Sequence, residues 1–385
     1  MLDAIIAGAG PAGLSAAESL AKRGYRPLVL EQNHEIGSPI RTSGGSFIGE
    51  LDALGIPARL YHPISRVRFL SPNNAAVFEY PDPVLCVIDV RGTFQFLAER
   101  AIAAGAQIRL STAVTGPILD GSRVTGVRTR EEAVASRVVI DATGYRSVLL
   151  KQAGLDPGFR RFGVGAEYDL YAPECDPSEA ILMVGGIAPS GYAWVFPWGR
   201  KRVRVGVGII HPDSRAEPNR YLDHLMSMLP RFGVNLAGAQ PIEHHAGLIP
   251  SERFAEAFVG DGILGVGDAT GQASSLLGEG IRWAIQAGRM AGEAVADALE
   301  GTGSLSAFET RWRRKFGRDL QLAHRVNERI ARWDDQKWDE RTEIIKLLTP
   351  TQFAEALKTN LTGGWLLRFA LRNPAALASA AFLTK

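Results

Sequence analysis

Three glycines spaced Gly8-x-Gly10-x-x-Gly13 lie between a short apolar run, Leu2–Ala7, and a stretch of helical periodicity over residues 14–24. Strand, glycine turn and helix in that order are the context in which this spacing signals a dinucleotide. Gly8 permits the tight turn, Gly10 lets a pyrophosphate approach the backbone, and Gly13 lets the helix pack close to the strand. The helix start then offers N–H groups and the positive end of its dipole to phosphates. A second apolar run over residues 26–30 ends in Glu31. A carboxylate about twenty residues past the glycines suits a pair of ribose hydroxyls. The alternative is a glycine-rich βα turn that holds no ligand.

Further candidates follow along the chain. Residues 32–46 have loop composition and carry Arg41, Thr42, Gly44 and Gly45. Leaving a nucleotide-binding sheet, such a strip is expected to pass close to a flat cofactor, with Arg41 set against its phosphates or ring. Asp141-Ala142-Thr143-Gly144 closes another apolar run, and Gly267-Asp268 closes a third. A helix start at Glu279-Gly280-Ile281 is placed to face an electronegative part of a ligand. In Tyr192-Ala193-Trp194-Val195-Phe196-Pro197-Trp198 the aromatics recur at every second position, so they share one side of a strand. They form either the aromatic core of a sheet or an apolar wall for a hydrophobic substrate. The pair His244-His245 is not a metal site: neighbours on a strand point to opposite faces, and no further ligand stands at a suitable spacing.

These residues need a scaffold. The 385 residues suit two domains, and 46% hydrophobic with 22% charged content describes a globular protein. A net charge of +2 gives no field that would draw the chain to nucleic acid. Cys86 and Cys175 make neither a disulfide framework nor a metal spacing, and their scarcity fits a reducing, cytoplasmic compartment. The first strand begins at residue two, which leaves no room for a signal peptide. No run of about twenty uninterrupted apolar residues is present to span a membrane. Residues 64–70, 75–80 and 85–90 read as strands, 91–105 as a helix, and 107–110 as a strand, with two more strands flanking Asp120-Gly121-Ser122. Residues 160–210 are again β in character, and Arg202 and Arg204 alternate there with valines. From Leu305 onward the chain is mainly helical and charged. Residues 365–383 are apolar with spaced arginines: a packing helix, or a peripheral membrane contact.

The set Gly8-x-Gly10-x-x-Gly13, Glu31, Asp141–Gly144 and Gly267-Asp268 resembles the flavoprotein group of aromatic hydroxylases, halogenases, lycopene cyclases and geranylgeranyl reductases, over nearly the whole chain. Within it the chain is most similar to the geranylgeranyl reductase family. Residues 189–197 match that family's P-x-x-Y-x-W-x-F-P signature, Glu35-Ile36-Gly37-Ser38-Pro39-Ile40-Arg41 resembles its loop after the second strand, and the helix over residues 308–317 is similar too. The resemblance implies an α/β fold: a Rossmann-type FAD-binding domain (residues 1–58, 91–158 and 251–300), an inserted antiparallel β-sheet substrate domain (59–90 and 159–250) and a C-terminal helical cap (301–385). It implies that FAD is held by Gly8, Gly10, Pro11, Ala12, Gly13, Glu31, Gln32, Arg41, Thr42, Arg91, Val114, Asp141, Gly144, Gly267, Asp268, Gly278, Gly280 and Ile281. Tyr192, Trp194 and Phe196 would contact the substrate, and Tyr192, Trp194 and Thr42 are the candidate catalytic residues.

The implied activity is saturation of C=C bonds in an isoprenoid lipid, quinone or pigment precursor by hydride from reduced flavin. The cofactor carries the hard chemistry, and the protein supplies position and dryness. FAD takes the single dinucleotide fingerprint, so electrons come from an external donor such as NAD(P)H or ferredoxin. Archaeal lipid reductases of the family tend to carry a cysteine after the loop arginine, and here that place is Thr42. A hydroxyl there is a far poorer proton donor than a thiol of pKa about 8.5. The rival readings are an FAD-dependent monooxygenase of a hydrophobic or aromatic substrate, and an isoprenoid binder in which FAD is structural. Halogenation is disfavoured, because the lysine that such enzymes place before the substrate has no clear counterpart here.

Overall fold

The computed structural model describes residues 1–359 and 363–372. The chain divides into two compact units. The first comprises Met1–Ile40, Val90–Arg160 and Ile249–Gln321, and the second Arg41–Asp89, Arg161–Leu248 and Leu322–Lys385.

In the first unit the strand Leu2–Ala7 is central. It pairs in parallel with Pro27–Leu30 on one side and Ala133–Asp141 on the other. Gln107–Arg109 extends the sheet beyond Pro27–Leu30, and Ile263–Gly265 extends it beyond Ala133–Asp141. Strands covered on both faces read as continuous apolar runs, which is why Pro27–Leu30, Ile263–Gly265 and the second half of Leu2–Ala7 lack a polar alternation. Their carboxyl ends are flush: Ala7 stands opposite both Leu30 and Asp141, and Asp141 opposite Gly265. The antiparallel strands Val114–Asp120 and Arg123–Thr129 flank the expected turn and join Ala133–Asp141.

The helices Pro11–Lys22 and Ile281–Glu300 pack against one another through glycine. A Cβ added to Gly288 would lie 2.1 Å from the Ala12 carbonyl oxygen, and one added to Gly292 would lie 2.7 Å from that of Ala16. Glycine inside a helix costs about 1 kcal/mol against alanine, and here the close approach offsets it. Gly288→Ala is therefore expected to destabilise, although alanine is the better helix former. The helices must separate, and overpacking of this kind costs about 1–3 kcal/mol. Thermal unfolding with FAD present and absent measures the loss; an unchanged midpoint would contradict the close packing.

The second unit holds a seven-stranded sheet ordered Gln240–Pro250, Phe162–Tyr171, Arg202–His211, Tyr192–Gly199, Glu179–Met183, Arg66–Leu70, Ala75–Glu79. Its described pairings are antiparallel except for Glu179–Met183 beside Arg66–Leu70. Strand alternation sorts the side chains by face. Ala193, Val195, Val203, Val205 and Val207 pack with Leu222 and Leu225 of the helix Pro218–Met228. Tyr192, Trp194, Phe196 and Trp198 cluster instead with Phe69, Phe78, Trp338 and Phe353.

A smaller sheet of Gly45–Phe47, Leu85–Ile88 and Tyr61–Ile64 lies in the same unit. Pairing of Gly45 with Val87 draws residues 41–58 into the second unit, whereas the resemblance placed them in the first. The expected C-terminal region is divided as well, the boundary falling inside the helix Ser306–Ile330. Early in that helix Trp312 and Phe316 pack edge-on against Trp283.

Among the described residues three shorter helices follow, Asp335–Ile345, Pro350–Leu357 and Gly363–Arg372. Asp334 caps the first, and Thr349 with Gln352 forms a capping box on the second. Phe353 stacks on Phe78 at 4.0 Å, and Asp339 accepts from Ser71 and Asn73. Trp365 and Phe369 of the last helix face inward, while Leu367 and Leu371 are exposed. The apolar stretch expected to continue over residues 373–383 lies outside the described residues. Among the described residues no helix is long and apolar enough to cross a membrane.

Candidate functional site

The flush strand ends of the first unit gather most of the residues singled out by the sequence. Gly8 has φ +109°, and a Cβ on it would lie 2.3 Å from the Ala142 carbonyl oxygen. A Cβ on Gly13 would lie 2.0 Å from the Gly8 oxygen. These two glycines are therefore dictated by the fold itself. Gly10 differs: a Cβ there would meet nothing within 4 Å. It is the N-cap of Pro11–Lys22, Pro11 takes the first helical position, and no side chain caps the helix. The opening over Gly10 and the uncapped helix start suit an anion.

Glu31 closes its strand with its carboxylate turned back to the glycine turn. Oε2 accepts from the Ala9 N–H at 2.8 Å, and Oε1 accepts from the Asn33 N–H at 2.9 Å. A carboxylate has further lone pairs, so this anchoring leaves capacity for hydroxyl donors. Next to it is a cavity of about 240 Å³ lined by Gln32, Asn33, Ser111, Thr112, Ala113, Thr129, Arg130 and Glu131. Backbone bonds from Ser111 to Asn33 and from Thr112 to Glu31 hold this wall, and Val114 opens the strand just beyond. The sequence reading named Gln32 and Val114 here but missed the residues between them.

Asp141 has a different place from the expected one. It is fully buried, with Oδ1 accepting from the Thr143 N–H and hydroxyl and Oδ2 from the Leu149 and Leu150 N–H groups. Its carboxylate ties residues 142–144 to the helix Val148–Gln152 and has no surface to offer a ligand. Gly144, at φ +69°, forms the turn that follows.

The third strand end comes to the same helix start, because a Cβ on Gly267 would lie 3.1 Å from that of Ala12. Asp268 follows it. A Cβ on Gly280, the N-cap of Ile281–Glu300, would lie 3.4 Å from Asp268 Oδ1, and no side chain caps that helix either. Gly278 before it has φ +64°. Burial pushes the Asp268 carboxyl up to about 6. Arg91 opens its helix against Gly37, whose added Cβ would lie 3.1 Å from the Arg91 Cα, with Glu35 3.7 Å from the guanidinium.

The remaining candidates belong to the second unit. Arg41 is exposed, and its backbone lies over Gly247, where a Cβ would come within 2.2 Å of the Arg41 carbonyl oxygen. Thr42 is partly buried beside it. A Cβ added to Gly45 would lie 3.2 Å from the ring of Phe196. Tyr192 and Phe196 are partly exposed, whereas Trp194 between them is 7% exposed, and its indole N–H donates to Glu167 at 2.7 Å. Arg204, at 0% exposure, pairs with Asp169 and donates to the carbonyls of Ser43 and Ile88. It thereby pins the loop that carries Arg41 and Thr42, and its guanidinium lies 4.6 Å from the Trp198 ring.

A family model described as FAD binding domain matches residues 1–317. Relatives align over almost the full length. A digeranylgeranylglycerophospholipid reductase 2 from Methanopyrus kandleri is 30% identical over 92% of this chain and 95% of its own. One from Methanothermobacter thermautotrophicus is 32% identical over 88% and 90%. The chain belongs to the geranylgeranyl reductase family of FAD-dependent oxidoreductases. A solved geranylgeranyl bacteriochlorophyll reductase-like protein from Thermoplasma acidophilum superposes with a TM-score of 0.87, at 25% identity, covering 99% of both chains.

The cofactor of this family is FAD, and the first unit fits it on its own geometry. It offers an open glycine at an uncapped helix start, an anchored carboxylate with a polar cavity beside it, and a second uncapped helix start. For this flavoprotein we expect FAD affinity to fall as pH rises above about 6. The Asp268 carboxyl already holds its proton up to that pH, and a pyrophosphate anion nearby would favour the protonated form further. Binding then takes up a proton, which gives a fall of at most about tenfold per pH unit. Titrations of apoprotein with FAD at several pH values measure the slope, which Asp268→Asn is expected to flatten. An affinity that rises with pH would contradict the assignment.

Proposed function

We propose that this oxidoreductase saturates C=C bonds of an isoprenoid chain carried on a lipid. The observation that carries the reading is the extent of the match. Similarity to proteins named digeranylgeranylglycerophospholipid reductase runs over 92% of the chain and so includes the second unit, where substrate recognition is expected. The aromatic strand supports it, since Tyr192, Trp194 and Phe196 present one apolar stripe. A prenyl chain is uncharged, so its binding rests on buried area at about 25 cal/mol per Å².

When bound and reduced, FAD supplies hydride to one alkene carbon. The residues of the chain position the cofactor, exclude water and deliver a proton to the neighbouring carbon. Gly8, Gly10, Pro11, Ala12 and Gly13 hold the pyrophosphate, Glu31 and Gln32 the ribose end, and Asp268, Gly278, Gly280 and Ile281 the region beyond it. Arg91 completes the cofactor contacts of this unit. Of the two hydroxyls near the substrate, the Tyr192 phenol, of ordinary pKa about 10, is a stronger acid than the Thr42 alcohol. An external carrier brings the electrons, because the chain has one dinucleotide fingerprint. The helix Gly363–Arg372, with Leu367 and Leu371 exposed beside Arg368 and Arg372, is the proposed contact with the cytoplasmic face of a membrane.

The test is to purify the protein, record its visible spectrum and extract the lipid that accompanies it. A yellow protein carrying a polyprenyl lipid supports the reading. A yellow protein that instead consumes oxygen when given an aromatic acid and a reductant would replace it with a monooxygenase.

A further inference from the structure

Beside the aromatic strand runs a buried polar chain that the proposed reaction does not use. The Trp194 Nε1–H donates to Glu167 Oε2 at 2.7 Å. Glu167 Oε1 lies 2.9 Å from His245 Nδ1, and His245 Nε2 lies 3.0 Å from Glu243 Oε2. Glu167 is 3% exposed and His245 4%, while the Glu243 side chain is 32% exposed. A carboxylate and an imidazole are costly inside a sheet unless paired.

The indole also has a fitted seat. A Cβ on Gly206 would lie 2.3 Å from Trp194 Cζ2, and one on Gly208 3.4 Å from Cζ3. One on Gly165, a strand further on, would lie 4.0 Å from Cη2. Glycine weakens a strand interior and marks a place where something approaches closely. Here three glycines on two neighbouring strands lie under one ring.

We infer that Glu167 is a positioning residue for Trp194, fixing the indole in the orientation in which the aromatic strand meets the isoprenoid chain, with His245 as the group that holds the Glu167 carboxylate in place. This rests on the reading of that strand as the substrate wall. The glycines set the plane of the ring, and the carboxylate sets its rotation by accepting the single indole donor. His245 donates to Glu167 and Glu243 together only as the imidazolium.

The groups facing His245 are Glu167 from Phe162–Tyr171, Glu243 from its own strand, and Arg204 from Arg202–His211. Burial and Arg204 oppose the charge, but the two carboxylates outweigh them and hold the imidazole pKa above its ordinary value. The pairing is therefore complete below the ordinary histidine pKa of about 6.5 and is lost as pH rises through the raised one.

The experiment compares Glu167→Leu, Glu167→Gln and wild type as holoenzymes, using a geranylgeranyl lipid as substrate. Leucine strands the indole N–H and is expected to raise KM about tenfold, with flavin content unchanged. Glutamine keeps an accepting oxygen, so KM is expected to recover to within about threefold, with loss of the pH dependence that wild type shows in KM. A leucine variant with unchanged KM, or a glutamine variant that retains the wild-type pH dependence, overturns the proposal. If the leucine variant does not fold, the glutamine variant carries the test.

A second readout needs no turnover. The near-ultraviolet circular dichroism difference between wild type and Trp194→Phe is expected to titrate with His245 and to be flat in His245→Gln. A difference spectrum that does not change with pH overturns the positioning claim. Absence of turnover with any prenyl lipid, alongside a titrating spectrum, overturns the reductase reading alone.

Discussion

A Gly10→Val variant is expected to fold normally and to be purified without colour. The position has φ −78° and ψ 177°, which valine accepts, and an added Cβ meets nothing within 4 Å. The added Cβ therefore strains nothing in the protein. It fills the space over the uncapped start of Pro11–Lys22, where the pyrophosphate must approach, and removes contacts to the helix N–H groups. Hydrogen bonds to charged groups contribute about 1.5–3 kcal/mol each, so loss of two lowers FAD affinity about a thousandfold. The melting temperature of the apoprotein is expected to stay within about 2 °C of wild type. Gly13→Val is the control with the opposite signature. Its Cβ would lie 2.0 Å from the Gly8 oxygen, so that variant is expected to lose its fold together with its flavin. Full flavin content in Gly10→Val would remove the pyrophosphate from this turn.

The largest expected effect on stability belongs to Arg204→Met. The guanidinium is buried with Asp169, which is 1% exposed, and satisfies the carbonyls of Ser43 and Ile88. Breaking a buried pair from one side costs about 3–5 kcal/mol, because the other charge stays buried. Arg202, 2.8 Å from Asp169, compensates for part of this. The two carbonyls are left without their donor, so the loop carrying Arg41 and Thr42 is expected to become sensitive to protease. Urea unfolding measures the stability, and the double variant Asp169→Leu/Arg204→Met is expected to recover more than half of the loss. If the double variant is no better than the single, the buried charge is not the cause.

The first unit was largely legible because its signals are local. Gly8, Gly13 and Glu31 stand at spacings that the strand–turn–helix geometry itself requires, and the apolar runs between them reflect burial on both faces. Asp141 shows the limit of such reading. A strand ending in an acid before a glycine looks the same whether the acid faces a ligand or, as here, accepts from Leu149 and Leu150 below the loop. Gly288 and Gly292 lie in a helical stretch, where composition records only a weaker helix, and their purpose depends on Ala12 and Ala16 far back in the chain.

In the second unit, alternation placed Tyr192, Trp194 and Phe196 on one face but could not report that Arg204, opposite Phe196 on the neighbouring strand, is buried. The same holds for His245. Its spacing argued against a metal, and of its two partners Glu167 lies 78 positions away on another strand. Contacts that depend on register between distant strands leave no local pattern.

The most direct test is a single anaerobic turnover. The holoenzyme is reduced until its yellow absorption is bleached, excess reductant is removed, and a geranylgeranyl lipid is added without oxygen. The yellow is expected to return at a rate set by lipid concentration, with one pair of hydrogens appearing in the lipid for each flavin reoxidised. A flavin that stays bleached until oxygen is admitted, with the lipid unchanged, would contradict it.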